Sequence, residues 1–164
     1  MTIDIRPAAL FDAPALKKLI TSGISIWGEG IETNLKPWVE VISTIEYIEN
    51  NIKNPEYLIF MAEVNDAIVG TISLDLSHGT PHMCGLYCDT RGKGIGTALL
   101  KYSMDLTVSL GHPAMKCEIY EHNVPSITLM KKYGARHTKT NRVADIDYHE
   151  YTFDLTEREG IMVY

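Results

Sequence analysis

The sequence predicts a mixed α/β fold in which helices cover both faces of a mostly antiparallel sheet. Short segments alternate apolar and polar residues, longer segments repeat apolar residues at helical spacing, and turn-forming residues separate the segments. The chain has 164 residues, 45% of them hydrophobic and 22% charged, which is ordinary for a globular protein. This length suits one unit, and we expect a single domain over residues 1–164.

The first third of the chain predicts one strand and two helices. Residues 3–5 alternate as a strand does, and Asp12 is a suitable N-cap for a helix that Gly23 ends. Residues 24–37 mix glycine, tryptophan and glutamate and indicate a loop with at most a short helix. A capping-box pattern at residues 43–46 then opens the second helix.

The middle of the chain predicts a β-hairpin followed by a further strand. Residues 57–64 are rich in strand formers, and Asn65-Asp66 makes a tight turn into residues 67–76. The apolar residues of this third strand should share one face of the sheet: they are Ile68, Ile72, Leu74 and Leu76. Residues 82–88 give the fourth strand.

The last part of the chain predicts two helices and the remaining strands. Apolar residues at helical spacing predict a helix over residues 95–110. Residues 114–120 give the fifth strand, and Asn123 can cap a short helix over residues 124–133. Residues 149–155 alternate as the last strand. The predicted order is β-α-α-β-β-β-α-β-α-β-β.

The charge balance narrows the classes of partner. Lys and Arg number 15 and Asp and Glu 21, so the formal net charge is −6. An acidic chain lacks the basic stripe that nucleic-acid binding requires, and it suits a cationic small substrate. No apolar stretch approaches the ~20 residues of a membrane span, and no signal-peptide pattern is visible. We therefore expect a cytoplasmic protein that binds neither nucleic acid nor membrane.

Cysteine and histidine spacing gives no sign of a disulfide or a metal site. The cysteines are Cys84, Cys88 and Cys117, an odd number that fits a reducing compartment. The 6 histidines lack metal-ligand spacing, and no C-x-x-C pair is present. We expect no metal.

One glycine-rich segment carries the main chemical signal. It follows the fourth strand and opens the next helix, and its residues are Arg91-Gly92-Lys93-Gly94-Ile95-Gly96-Thr97. Glycines let the backbone curve tightly, and the free N–H groups of the first helical turn form an anion site to which Arg91 and Lys93 add positive charge. The segment predicts a phosphate or pyrophosphate cradle. It fits neither a P-loop nor a dinucleotide fingerprint, and a turn whose glycines serve only packing is the alternative.

The same residues carry a family resemblance. Residues 91–96 match Q/R-x-x-G-x-G/A, which resembles the pyrophosphate loop of the GNAT N-acetyltransferase superfamily. Leu86-Tyr87-Cys88 precedes the loop as L-Y-V does in that family. Residues 123–135 resemble a second family motif, which begins N-x-x-A/S-I. The resemblance covers most of the chain, and Ser126 makes it similar to the phosphinothricin-type amino-acid N-acetyltransferases.

The resemblance implies acetyl-CoA as a co-substrate and a sheet whose fourth and fifth strands splay apart to hold it. The pyrophosphate would rest on the backbone amides from Gly92 to Thr97. The pantetheine arm would pair along Leu86-Tyr87-Cys88, and Asn123 and Ser126 would reach the same arm. As an alternative, Asn123 serves only as a helix N-cap.

The implied reaction is direct transfer of an acetyl group from the thioester to an amine. The resemblance makes the backbone N–H of Leu86 the donor to the developing oxyanion. It places His82, on the same predicted face, where some relatives have a general base; a structural histidine is the alternative. Met130 stands where the family often has a tyrosine that protonates the leaving thiolate, and Tyr120 and Tyr87 are candidate substitutes.

The resemblance assigns the acceptor pocket to the loop over residues 24–37. Glu29 is the candidate there for holding or deprotonating the amine, with Trp27 and Glu32 nearby in sequence; a solvated loop is the alternative. The expected function is acetylation of a small amine, such as an amino acid or a related metabolite. Acylation of a protein N-terminus or lysine and a non-catalytic acyl-CoA sensor are the alternatives. Dimers are common in the family, so a homodimer is also open.

Overall fold

The computed structural model describes residues 1–25, 31–143 and 145–160. Its elements follow in this order: β1 (Asp4–Pro7), a 3₁₀ turn (Leu10–Asp12), α1 (Ala13–Ser25), α2 (Ile31–Ile42), α3 (Ile45–Lys53), β2 (Tyr57–Val64), β3 (Ala67–Asp75), β4 (His82–Cys88), α4 (Ile95–Ser109), β5 (Ala114–Tyr120), α5 (Val124–Lys132), β6 (Arg136–Val143) and β7 (Ile146–Asp154). This order agrees with the predicted one except for α2.

One seven-stranded sheet organises these elements, with its strands in the order β1-β2-β3-β4-β5-β7-β6. Neighbouring strands are antiparallel except for β4 and β5, which are parallel. Helices α1 and α3 pack on one face, and α4 and α5 pack on the other. The predicted mixed, mostly antiparallel sheet with helices on both faces is therefore confirmed.

Apolar burial holds each helical layer to the sheet. On one face, Leu99 and Met104 of α4 pack with Ile72 and other sheet residues, all almost inaccessible to water. On the other face, Leu16 of α1 and Ile48 of α3 pack over Met61 of β2. Burial of each such side chain stabilises the fold by roughly 1.5–3 kcal/mol before entropy is counted.

The predicted hairpin is present, but one of its face assignments is wrong. Asn65 and Asp66 both have positive φ, 50° and 61°, as the second and third residues of a type I′ turn require. The pairing of β2 with β3 then shifts by one residue and leaves Val69 as a bulge. Ile68 therefore packs with the α1 and α3 layer, whereas Ile72 packs with the α4 layer.

The segment predicted as a loop contains a helix. Helix α2 includes Pro37 in its interior, although proline removes a backbone donor there. Val39 and Ile42 lie three residues apart on this helix and bury apolar surface, which offsets the poor propensity. The cap of α3 also differs from the prediction: the Thr44 hydroxyl accepts the Tyr47 N–H at 3.2 Å, so the helix begins one residue later.

An arginine joins β1 to the first helical turn. Arg6 donates from Nη1 and Nη2 to the two carboxylate oxygens of Asp12 at 2.7 and 2.9 Å, and from Nε to Glu63 at 2.8 Å. Asp12 also accepts the Ala9 N–H at 2.8 Å, which places this buried carboxylate inside the first turn rather than at the predicted N-cap. The fully bonded carboxylate of Asp12 thus joins β1 to the first helical turn, and Arg6 extends the connection to β2 through Glu63.

We expect Asp12→Asn to lower the free energy of unfolding by about 2 kcal/mol near neutral pH, because it removes the charge that Arg6 needs. The hydrogen bonds from Arg6 hold the pKa of Asp12 below its ordinary value, although burial opposes them. Such a carboxyl stabilises the fold above its unfolded pKa, and the contribution is lost as the pH falls through the folded value.

Urea unfolding at neutral and acidic pH measures this effect. The difference between Asp12→Asn and wild type should shrink below about pH 4. Asp4→Asn, on the exposed face of the same strand, is the matched control and should change little. A difference between Asp12→Asn and wild type that stays constant with pH would contradict the account.

Candidate active site

The candidate site begins where β4 and β5 separate. Within the described part of the chain, these two strands pair only at His82 with Lys116 and at Met83 with Cys117. From Cys84 onward, β4 has a free edge on the side of β5. The sequence-based expectation that the fourth and fifth strands splay apart therefore agrees with the structure.

The free edge of β4 presents the backbone of Leu86. The Asp89 N–H donates to the Val69 carbonyl of β3 at 3.0 Å. Backbone groups alternate in direction along an antiparallel pair, so Tyr87 also faces β3, whereas Leu86 and Cys88 turn their N–H and C=O groups toward the gap. The amide that the sequence singles out as an oxyanion donor thus lies at the free edge.

A β-bulge at Gly85 separates two side chains that the sequence places together. The pairing of β4 with β3 shifts between Cys84 and Leu86 and leaves Gly85 as an extra residue with φ of 74°. Leu86 therefore packs into the α4 layer, as Met83 does, while His82 faces the other side of the sheet. The expectation that His82 and Leu86 share a face is wrong, because it assumed an unbroken alternation.

A cleft of about 870 Å³ occupies the gap. It begins beside Asn123 at the start of α5, passes between Leu86 of β4 and Tyr120 of β5, and reaches a polar end at His82 and Glu118. Clefts of this size, with a few convergent polar groups, are typical of small-molecule sites.

The glycine-rich segment lies at the exposed turn that joins β4 to α4. Gly92 and Gly94 both have φ of 78°, and the space where a Cβ would stand is open at each of them. The first intrahelical donor is Ala98, which bonds the Gly94 carbonyl, so the preceding amides of the first turn are available to a ligand. This geometry fits a backbone anion cradle with positive dipole character.

Two cations flank this cradle. Arg91 and Lys93 are exposed, and neither makes an ion pair with the described residues. Ile95 anchors the segment because its side chain is 2% exposed in the core while its backbone begins the helix. A Cβ atom added at Gly96 would lie 3.7 Å from the sulfur of Cys88. The start of α4 therefore lies directly over β4. Thr97 completes the first turn.

His82 is half-buried at the polar end of the cleft. Burial is the main influence and lowers the pKa of His82 below its ordinary 6.5, while the negative charges of Glu118 and Glu150 oppose this effect. The imidazole is therefore uncharged near neutral pH and able to accept a proton.

Asn123 caps α5 and also lines the cleft. Its Oδ1 accepts the Ser126 N–H at 3.3 Å, so it is the N-cap of α5. Its Nδ2 makes no hydrogen bond with the described residues, and both Asn123 and Ser126 line the cleft. A capping asparagine thus retains a donor for a ligand.

Met130 occupies the position at which related proteins often have a tyrosine that protonates the leaving thiolate. This side chain is 1% exposed and lines the cleft as part of the apolar core. Tyr120 and Tyr87 also line the cleft, and burial raises the pKa of both above the ordinary value. Tyr87 packs over the bulge, because a Cβ at Gly85 would lie 2.8 Å from its ring.

The cysteine thiols of the site region are protonated near neutral pH. Burial raises the pKa of Cys88 to about 11 and those of Cys84 and Cys117 to about 12. A thiolate is the nucleophilic form of cysteine, so covalent catalysis by these residues is disfavoured.

The structure leaves two residues of the predicted acceptor loop undescribed and adds two residues that the sequence reasoning missed. Glu29 and Trp27 lie outside the described residues, and Glu32 lies in α2. Asp75 and Glu118 line the polar end of the cleft. Glu118 interrupts an apolar strand, which is a signal that could have identified it; Asp75 carries no such signal.

The described residues contain neither a cluster suited to a metal ion nor a helix suited to a membrane span. No group of three or more His, Cys, Asp or Glu side chains is arranged to hold a metal ion among them. None of their helices is long and apolar enough to cross a membrane.

Comparison with known proteins places the chain in a family. The model of the Acetyltransferase (GNAT) family matches residues 27–135. A Bacillus subtilis protein named "Putative phosphinothricin acetyltransferase YwnH" is 29% identical over 103 residues, which cover 58% of this chain and 63% of that protein. The chain therefore spans less than two thirds of that relative.

Solved structures share the fold. The PaiA N-acetyltransferase from Thermoplasma acidophilum, in complex with coenzyme A, gives a TM-score of 0.80 at 19% identity and covers 93% of this chain and 100% of that one. The ribosomal-protein-S18-alanine N-acetyltransferase from Escherichia coli gives 0.74 at 17% identity, with 99% of each chain covered.

The chain belongs to the acetyltransferase (GNAT) family, a class of acyl-transferring enzymes. The resemblance inferred from residues 91–96 and 123–135 is confirmed, and the similarity to YwnH agrees with the phosphinothricin-type resemblance.

We expect Gly85→Ala to destabilise the protein more than Gly79→Ala does. Both glycines have φ near 74°, so both substitutions add similar backbone strain of about 1–2 kcal/mol. Only at Gly85 would the new Cβ also meet the Tyr87 ring, whereas nothing lies within 4 Å at Gly79. Overpacking of this kind costs about 1–3 kcal/mol in addition.

Thermal and urea unfolding of the two variants measure the difference. Equal losses of stability in the two variants would show that the Tyr87 ring moves aside at little cost. Packing of Tyr87 against Gly85 would then not stabilise the bulge.

Proposed function

We propose that the protein transfers an acetyl group from acetyl-CoA to the amine of a small molecule. The observation that carries this proposal is the free edge of β4, which connects the anion cradle to the half-buried His82. His82 lies at the start of β4, the free edge follows it, and the anion cradle comes directly after the end of the same strand. Family membership supplies the reaction class.

The cradle binds the pyrophosphate of the co-substrate. The amides of Ile95, Gly96 and Thr97 donate to phosphate oxygens at the positive end of the α4 dipole. Arg91 and Lys93 add charge attraction to the phosphate groups.

The β4 edge orients the pantetheine arm. Leu86 and Cys88 pair with its amides as one strand pairs with an added strand, and Tyr87 between them keeps the strand in register with β3. Asn123 donates from Nδ2 on the opposite side of the gap. These contacts direct the thioester carbonyl to the Leu86 N–H, where negative charge develops during transfer.

His82 supports the attack of the amine. An ammonium is not a nucleophile, so a proton must leave before the nitrogen bonds the carbonyl carbon. A neutral ring nitrogen of His82 accepts that proton, directly or through water. The C–S bond then breaks, and the thiolate takes a proton from His82 or solvent. A thiol of pKa about 8.5 is a tolerable leaving group without a tyrosine at Met130.

Thiol release with a panel of amines tests the proposal, together with a thermal shift on adding acetyl-CoA. Release with small amines supports it. A shift without release would favour a non-catalytic acyl-CoA sensor, a candidate that the apolar Met130 supports. Release only with a peptide would favour protein acylation, the activity named for the Escherichia coli neighbour.

We expect Gly94→Val to weaken coenzyme A binding by more than tenfold, because its side chain fills the open space over the cradle. Calorimetric titration measures the Kd. Gly111→Val is the matched control: it has φ of 86°, equally open surroundings and lies at the far end of α4. Unchanged affinity in Gly94→Val would remove the loop from the binding site.

We expect His82→Ala to lower kcat/KM, with the largest loss between the lowered pKa of His82 and neutral pH, where the imidazole is still uncharged but the amine is protonated. Since burial lowers the pKa of His82, the wild type should retain its base below pH 6.5 and lose it only as the pH falls further. The pH profile of kcat/KM measures this. His112→Ala, outside the cleft, is the control, and a wild-type profile in His82→Ala would exclude the base role.

A further inference from the structure

The polar end of the cleft lies on three adjacent strands. Asp75 of β3 pairs directly with His82 of β4, and Glu118 lies on β5 just past its pairing with β4. The register of β5 with β7 places Glu118 directly opposite Glu150. Two carboxylates in directly opposed positions on a sheet repel each other.

Glu150 and Glu118 differ in the partners that offset their negative charges. Lys116 lies 3.3 Å from Glu150, which also accepts a hydrogen bond from Thr138 at 2.8 Å. Glu118 accepts only from the neutral amide of Asn141, at 3.0 Å, and forms no ion pair with the described residues. One negative charge at the end of the cleft therefore lacks a cation.

Asp75 is held in place on the opposite side. Its Oδ1 accepts from the backbone and hydroxyl of Ser77, and its Oδ2 lies 3.4 Å from the ring of His78, which is mostly exposed. The Ser77 hydrogen bonds lower the pKa of Asp75 although burial opposes them, so the carboxylate is ionised near neutral pH.

No lysine or arginine among the described residues lines the cleft. The sequence of residues 24–35 and 161–164 also contains no lysine or arginine. Residues 24–35 include two acidic residues, Glu29 and Glu32. A substrate carboxylate placed here would meet the negative charges of Asp75 and Glu118, whereas the neighbouring Lys116 is already paired with Glu150. Such an arrangement discriminates by repulsion as well as by attraction.

The remaining walls suit an aliphatic chain. Trp38 and Tyr148 line the same cleft beside Val143. Aromatic side chains accept both methylene groups and ammonium groups. The net charge of −6 further favours approach of a cation.

We propose that the acceptor is an aliphatic diamine or polyamine, whose reacting nitrogen approaches His82 while a second ammonium group is bound by Asp75 and Glu118. This inference rests on the proposed acetyl transfer and specifies its substrate class. It disfavours an amino-acid acceptor, which carries a carboxylate, even though the relative YwnH is named for phosphinothricin acetylation.

Three amines of equal chain length separate charge from size. Thiol release from acetyl-CoA is measured with 1,4-diaminobutane, butylamine and 4-aminobutanoate. We expect kcat/KM for the diamine to exceed that for butylamine about tenfold, as one charge-assisted contact allows, and the carboxylate to be the poorest acceptor. The preference should fall as salt is added.

Neutral variants test the residues. Glu118→Gln and Asp75→Asn should each raise KM for the diamine about tenfold and lower the preference for diamine over butylamine by a similar factor. Glu121→Gln, exposed just beyond β5 and outside the cleft, is the matched control. Equal rates for diamine and monoamine, a preference for the carboxylate, or an unchanged diamine KM in both variants would each overturn the proposal.

Binding without turnover keeps the two proposals distinct. Calorimetric titration of the diamine and of 4-aminobutanoate, with coenzyme A present, tests charge recognition even if no amine is acetylated. Diamine binding that weakens in Glu118→Gln supports this inference although the proposed function fails. Absence of diamine binding overturns this inference, while acetylation of other amines would still uphold the proposed function.

Discussion

The active-site architecture depends on the early separation of β4 from β5. After two paired positions the strands part, and the bulge at Gly85 then reverses which face each following side chain occupies. One strand thereby presents the Leu86 backbone at its free edge and the His82 side chain on the face opposite to that of the Leu86 side chain. Loss of the bulge would redirect every side chain that follows it in β4.

Features with local backbone causes could be predicted from the sequence. Asn65-Asp66 adopts the positive φ values that a type I′ turn demands, and the glycines between β4 and α4 mark the cradle in the same way. The extra residues at Val69 and Gly85 could not be predicted, because a bulge is defined by the register of a partner strand. Helix α2 was missed since tertiary burial outweighs its interior Pro37.

The cradle and the polar end of the cleft differ in how far the sequence reveals them. The cradle is contiguous, so spacing alone brings its residues together. The polar end draws Asp75, Glu118 and Glu150 from strands far apart in sequence, and only sheet register makes them neighbours. The basic turn after β4 and the carboxylates beside the start of β4 carry opposite charges, which suits an anionic co-substrate and a cationic acceptor.

The protonated state of the buried cysteines has a practical consequence for redox behaviour. Cys84, Cys88 and Cys117 hold their protons well above neutral pH. Thiol–disulfide exchange requires the thiolate, so these side chains react slowly with disulfides, whereas the free thiol that the proposed transfer would release ionises at about pH 8.5. A chromogenic disulfide would therefore react with that released thiol and leave the polypeptide unmodified. Under mild oxidation, coenzyme A would be oxidised before the cysteines of the protein.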